Sequence, residues 1–497
     1  MRDNTMSRDA AQQQWLIIKD AIQKIYDQQA SQLSYEELYR TAYNLVLHKH
    51  GDMLYENVKK TTLDMLEPIA KRLLDLPDDV IDEEITKVWD TEKYVIIMIK
   101  DILLYMDKNF VPKQKNLDSV ETLQTKVFKS TVVQNSVIKK KLVTRLLHQI
   151  EKERKGEMIQ RQFIRKCVDM FIEVGGPNRK IYELEFENEL IKQTRDFYRH
   201  ESQTFISENA CNAYLIKANN RYNEEKERVE NYLHASSMDK ILNEFLNEYI
   251  DQHSQHLLNM QNSGLTQMIQ QDQVREIKLM FSLFKKIPNA LEQFKNHFKA
   301  YIISEGQKLV RNDQVTNDEL VRKIIEFQIK MDMLWVNALE RDSSVHLTIK
   351  TSFEAFINEN EKTAFSLVAY LDDQFKRDFK TNNEIEISEK IDKIIKIFRF
   401  LQDKDIFENH YRNSFSRRLL DSRRVLEDAE KEVIKKLKDE CGFNFTQRLE
   451  VMFKDIKQSE QRTSDFKESV GANLDYDLSV KVLTIGQWPN ENRDPTQ

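Results

Sequence analysis

Few residues in this 497-residue chain are spaced for chemistry. His253 and His256 stand i, i+3, so on a helix they would share one face and could hold a metal. No third ligand lies nearby in sequence, and a polar helix face explains the pair equally well. His48 and His50 follow an apolar run beside Gly51 and read as positive charge near a helix C-terminus, where the dipole favours it. Cys167, Cys211 and Cys441 form no CxxC pair, which argues against a zinc site and a disulfide scaffold. Cys167 and Cys211 have no visible partner base and read as small buried hydrophobes. Gly175-Gly176 precede Pro177 and mark a turn rather than a phosphate cradle. Lys139, Lys140 and Lys141 sit among apolar residues at helical spacing and read as a solvated face. Nothing here assembles a nucleophile, a general base or a metal site, so the expectation is a non-catalytic protein with no cofactor.

The residues that do stand out are aromatic. Ser34 with Glu37 has the pattern of a capping box, and Leu33 with Leu38 that of a hydrophobic staple, which predicts a helix starting at Ser34. On it Leu38, Ala42, Leu45 and Val46 form the core stripe, and Tyr35, Tyr39 and Tyr43 recur every four residues along one edge. A second helix, expected from Tyr94 to Phe110, is apolar over most of its circumference and should be central to its bundle. Its remaining edge carries Tyr94, Asp101, Tyr105 and Lys108. Tyrosine offers a large area, a polar tip and little rotamer entropy, so two such edges side by side would make an aromatic docking surface with charged rims. The alternative is that these tyrosines only cover the bundle.

The elements that must position them are helices. The chain has 9 Gly and 7 Pro, together about 3% of its residues against roughly 12% in average usage, and no proline between Pro288 and Pro489. Apolar residues follow helical spacing, as in Ile391, Ile394, Ile395, Phe398 and Leu401. Blocks of amphipathic helices open near residues 12, 133 and 256, and repeats of that kind stack end to end into a rod. One stretch differs: from Asp477 to Ile485, Leu478, Val480 and Val482 alternate with polar residues, the period of a half-buried strand. A strand without partners should be frayed or sticky, so this reads as the first piece of a mixed domain. Lys+Arg 76 against Asp+Glu 82 gives a net charge of −6, which excludes nucleic-acid binding driven by bulk charge. No apolar run is long enough to span a membrane and no signal-peptide core follows Met1, so no membrane partner is expected and the expected location is cytoplasm and nucleus.

Several long segments resemble the cullins, scaffold subunits of multisubunit RING ubiquitin ligases, and most closely the cullin that binds BTB-domain adaptors. They are residues 33–52 (LSYEELYRTAYNLVLHKHGD), 98–107 (MIKDILLYMD), 153–157 (ERKGE), 201–211 (ESQTFISENAC), 223–230 (NEEKERVE), 260–265 (MQNSGL) and 287–291 (IPNAL). The resemblance continues through 398–421 (FRFLQDKDIFENHYRNSFSRRLLD), 440–456 (ECGFNFTQRLEVMFKDI) and 482–489 (VLTIGQWP), and so covers nearly the whole chain.

That resemblance implies an all-α, elongated stalk of three stacked cullin repeats followed by a four-helix bundle, with the first strand of an incomplete α/β domain at the C-terminus. The implied segments are 10–132, 133–255 and 256–360 for the repeats, 361–472 for the bundle and 473–497 for the truncated start of the α/β domain. It also implies a scaffold in ubiquitin-dependent protein degradation, with BTB-domain substrate adaptors docked on the first repeat. Carried over by position, the adaptor contacts would be Leu33, Tyr35, Glu36, Tyr39, Tyr43, Tyr105 and Lys108. Lys108 stands where an arginine is more familiar, and Met1 to Met6 lack the apolar extension that packs beside the BTB fold in such cullins. The RING-box protein of a full-length relative would engage regions beyond these residues. Two alternatives stand beside this reading: a truncated cullin that competes for adaptors without ligase activity, and a helical-rod subunit of a tethering complex.

Overall fold

Helices begin where a short polar side chain takes an amide that the first turn leaves unpaired. Ser7 accepts from the amide of Ala10, Ser119 from Thr122, Asn135 from Val137 and Ile138, and Thr316 from Glu319. Asp342 serves Ser344 and Val345 in the same way, and Asn383 serves Glu386. Pro288 opens its helix at a position whose amide would be free in any case. Between such starts the apolar stripes are buried, including Ile391, Ile394, Ile395, Phe398 and Leu401. The computed structural model describes residues 6–312, 314–377, 379, 383–421, 427–470 and 478–489, and it is all-α: helices dominate and no strand occurs among the described residues.

The chain divides into two units, Met1–Glu208 with Lys217–Tyr249, and Asn209–Ile216 with Ile250–Gln497, a coarser division than the five segments expected above. The first unit contains α1 (Arg8–Tyr26), α2 (Tyr35–Leu47), α3 (Gly51–Asp75), α4 (Ile81–Ile102), α5 (Leu104–Asn109), α6 (Val120–Phe128), α7 (Ser136–Arg154), α8 (Arg161–Gly175) and α9 (Asn188–Glu208). It also takes most of α10 (Cys211–Tyr232) and all of α11 (Met238–Tyr249). α4 is the central element, packed on α1, α2, α3, α6, α7 and α8. Its core face, with Ile85, Val88, Trp89, Val95, Ile96 and Ile99, is buried.

The single helix expected from Tyr94 to Phe110 is instead two. α4 begins well upstream at Ile81 and ends at Ile102, capped by Leu103, whose backbone (φ −96°, ψ 14°) leaves the helical region before α5 continues. Two sequence readings also change nearby. Ser34 is the N-cap of α2 as expected, but its side chain makes no capping hydrogen bond, so the box with Glu37 is not formed. Lys141 is not merely solvated: its ammonium donates to the carbonyls of Leu74 (2.9 Å) and Leu76 (3.0 Å), satisfying acceptors at the end of α3.

Deep in this unit lies a charged network. Arg154 is fully buried, with Nε 2.9 Å from Glu225 Oε1, Nη2 3.1 Å from Oε2, and Nη2 2.8 Å from Thr194 Oγ1. Tyr198 donates to the same carboxylate at 2.5 Å and Arg228 Nη1 at 2.8 Å. Burial alone would raise the Glu225 carboxyl, but Arg154 and then Arg228 hold it down at about 2. Arg228 and Tyr232 extend the network to Glu153. These bonds join α7, α9 and α10 at sequence separations of up to 79 residues.

The second unit begins its own helices with α12 (Ser254–Asn259), α13 (Leu265–Gln270), α14 (Val274–Phe284), α15 (Pro288–Val310), α16 (Asn317–Asn337) and α17 (Ser343–Ile357). It continues with α18 (Lys362–Lys376), α19 (Glu384–Phe398), α20 (Lys404–Leu420), α21 (Glu427–Cys441) and α22 (Phe443–Val470). α15 lies against α17, α18 against α16 and α20, and α22 against α20 and α21. The strand expected from Asp477 to Ile485 is not formed in the described part, residues 478–485; Asp477 lies outside the described residues. The backbone there is satisfied by side chains of α22 instead of by a neighbouring strand. Ser459 Oγ accepts from the amide of Val482 at 2.8 Å, and Thr463 Oγ1 donates to the carbonyl of Val480. Asp455 accepts from the amide and hydroxyl of Thr484 and from Trp488 Nε1, at 2.8, 2.9 and 2.9 Å.

Candidate protein-docking site

α2 and α5 are neighbours because both lean on the same core. Leu38, Ala42 and Leu45 of α2 and Met106 of α5 are buried in one apolar cluster with Ile99 and Ile102 of α4. This packing turns the tyrosine edges toward each other. The rings of Tyr43 and Tyr105 meet with centroids 4.4 Å apart and planes at 57°, a favourable tilted geometry. Tyr35 reaches α4, its hydroxyl 2.7 Å from Met98 Sδ. Burial first, and then the nearby charges of Tyr94 and Asp101, make its hydroxyl harder to ionise.

Of the seven residues expected as contacts, Leu33, Tyr35, Tyr43 and Tyr105 are half-buried, whereas Glu36, Tyr39 and Lys108 are exposed. Glu36 pairs with Arg40 one turn on, at 2.5 Å. The structure thus brings Tyr43 and Tyr105 into contact and sets Tyr39 outward on the same edge of α2. Sequence reasoning missed Ile97, which is 58% exposed and shares a helix face with Tyr94, Met98 and Asp101. Its i, i+3 spacing from Tyr94 was the available signal. The result is an aromatic and aliphatic surface rimmed by charges, with none of the convergent polar groups of a catalytic pocket.

Two backbone features hold it. Gly51 opens α3 directly beneath Phe110, the residue that ends α5; a β-carbon there would lie 2.6 Å from the ring. His50 stands at the N-cap of α3 rather than at the end of α2, with Nε2 3.0 Å from the carbonyl of Met6. Met6 itself packs on the core, while the expectation about the N-terminal extension falls on residues 1–5, outside the described residues. Cys167 and Cys211, the other candidates for reactivity, are fully buried; burial raises both thiols, that of Cys211 to about 12.

The helices of each unit and this surface describe an all-α helical-repeat protein. Residues 15–463 match the cullin alpha solenoid domain, and the chain belongs to the cullin family. It is similar to Cullin-3 of Dictyostelium discoideum, 37% identical over 489 residues that cover 97% of this chain and 64% of that protein. Cullin-3A of Arabidopsis thaliana is 35% identical over 98% of the chain, and Cullin-3 of Caenorhabditis elegans 30% identical over 99%, covering 66% and 65% of those proteins. The chain therefore spans a little under two thirds of the length of these relatives. Membership of this family leaves the tethering-complex alternative without support. No helix among the described residues is long and apolar enough to cross a membrane.

Proposed function

We propose that the protein is a non-catalytic scaffold of a cullin-RING ubiquitin ligase that holds BTB-domain substrate adaptors on the α2–α5 surface. The observation that carries this reading is the Tyr43–Tyr105 contact, which joins two tyrosine edges from separate helices into one continuous face. Tyr39, Ile97 and Lys108 are exposed beside it and available to a partner. Interfacial tyrosines in a packed, desolvated patch commonly contribute about 2 kcal/mol or more.

Tyr39→Ala is the sharpest test because its side chain already points outward and its loss removes little core. The expected result is an affinity for a BTB adaptor lowered by roughly thirtyfold, the equivalent of about 2 kcal/mol, at unchanged helicity and unfolding midpoint. Tyr105→Ala should act in the same direction. If Tyr39→Ala binds as tightly as the parent, or if binding falls only in proportion to stability, the tyrosines are packing residues and the docking assignment fails.

A further inference from the structure

Within the second unit, a cavity of about 550 Å³ opens between α16, α17, α19 and the start of α20. Its apolar walls are Trp335 and Val336 of α16, Ile349 of α17 and Phe400 in the turn before α20. Trp335 packs against His346 with centroids 4.5 Å apart and planes tilted by 41°, and its indole N–H is already donated to the Asp342 carbonyl at 2.8 Å. What Trp335 has left to offer is therefore its face.

The charge of this lining runs against that of the chain. Lys350, Lys396, Arg399 and Lys404 line it with only Asp332 and Glu440, four cations less two carboxylates, so a formal +2 on a protein whose net charge is −6. Two of the lysines are loosely paired: Lys396 is 3.6 Å from Asp332 and Lys350 is 3.8 Å from Glu354. Lys404 donates to the Leu401 carbonyl at 3.1 Å and lies over the Phe398 ring, and neither neighbour is an anion. Arg399 is the one firmly matched, to Glu440 at 2.7 Å.

We propose that this groove is a separate docking site, one that takes an acidic peptide segment bearing an aromatic or aliphatic residue from a partner protein. The ammonium groups come from three different helices, so an extended chain with carboxylates at intervals meets them where a compact anion would not. The apolar walls take the side chain between those carboxylates. Outside the cavity the apolar surface continues one helical turn away, with Met333 58% and Leu347 60% exposed beside Val336 and Lys350. Loose pairs exchange readily for a carboxylate brought by a partner, because an exposed pair is worth little to begin with.

The test is fluorescence anisotropy with a labelled heptapeptide of alternating Glu and Leu carrying one central Trp, against the same peptide with Lys for every Glu. The acidic peptide is expected to bind and the basic one not. Reversing two charges of the lining, exposed Lys396→Glu with half-buried Lys404→Glu, should weaken binding by about tenfold or more at an unchanged unfolding midpoint. Val336→Glu, on the exposed wall, should weaken it independently should the double variant prove unstable. Inorganic tripolyphosphate is the competitor. Failure of the acidic peptide to bind, equal binding of both peptides, or indifference to the charge reversal would overturn the proposal. So would displacement by tripolyphosphate combined with no effect of Val336→Glu, which would make this an anion site. Tyr39→Ala should leave peptide binding intact, so the outcome is separate from that of the adaptor surface.

Discussion

Glu92 of α4 is a carboxyl only 2% exposed, and it accepts a hydrogen bond from the Tyr26 hydroxyl of α1 at 3.2 Å, a partner that supplies no positive charge. Burial pushes it up from 4.5 to about 8, with the Tyr26 bond opposing the shift. A carboxyl raised in the folded state is stabilising, relative to its ionised form, below the unfolded value of 4.5, and that contribution is lost as pH rises through 8. At about 1.4 kcal/mol per unit, folding at pH 7 forgoes about 3 kcal/mol relative to pH 4.5 on account of this one group. Glu92→Gln keeps the shape and the partner for Tyr26 but removes the titration. The variant should match the parent near pH 4.5 and become progressively more stable across pH 5 to 8, by about 3 kcal/mol at pH 7. Unfolding midpoints of both proteins measured by circular dichroism at half-unit pH steps, with hydrogen exchange of α1 and α4 at pH 5.5 and 7.5, read this directly. A stability gap that does not widen with pH would refute the argument, since it would mean that water reaches Glu92 or that its neighbours move to solvate it.

Two further outcomes follow from polar groups that the fold encloses. Glu225→Gln should destabilise the first unit by about 3–5 kcal/mol in thermal unfolding, because Arg154 would keep a buried charge without its counterion while Arg228 retains Glu153 and Glu224. In the parent the Glu225 carboxyl, held near 2, should stay ionised at pH 4, and the stability it contributes should fall progressively as pH drops from 4.5 toward 2, which an acid titration of the unfolding midpoint will trace. Asp455→Ala should loosen Thr484 and Trp488 from α22 by removing their acceptor, at a cost of about 1–3 kcal/mol, while Ser459 and Thr463 still hold Val482 and Val480. Faster amide exchange at Thr484 and a red-shifted Trp488 emission would show it, and unchanged exchange would count against the clamp.

What the sequence disclosed and what it hid divide along a physical line. Periodicity located the helix of Tyr35, Tyr39 and Tyr43 and its buried stripe, because a repeat of three to four residues is a local property. The break at Leu103 left no trace, since neither glycine nor proline marks it and the residues on both sides are apolar. The contact of Tyr43 with Tyr105 and the salt bridge of Arg154 with Glu225 lie 62 and 71 residues apart in the chain, and no local pattern announces them. Residues 478–485 alternate as a strand would, yet alternation describes only which side chains share a face. Whether a ladder forms depends on what the backbone meets, and here it meets Ser459, Thr463 and Asp455.

The contact of Gly51 with Phe110 gives the tyrosine face a hidden fulcrum. The ring that any β-carbon at position 51 would strike belongs to the residue immediately following α5, and α5 carries Tyr105 and Lys108. Enlarging residue 51 therefore acts like a shim slid under a hinge: it must push aside the ring of the residue next to α5, the helix that brings Tyr105 against Tyr43, although residue 51 itself is buried. The floor beneath the end of α5 is set by the absence of a single methyl group.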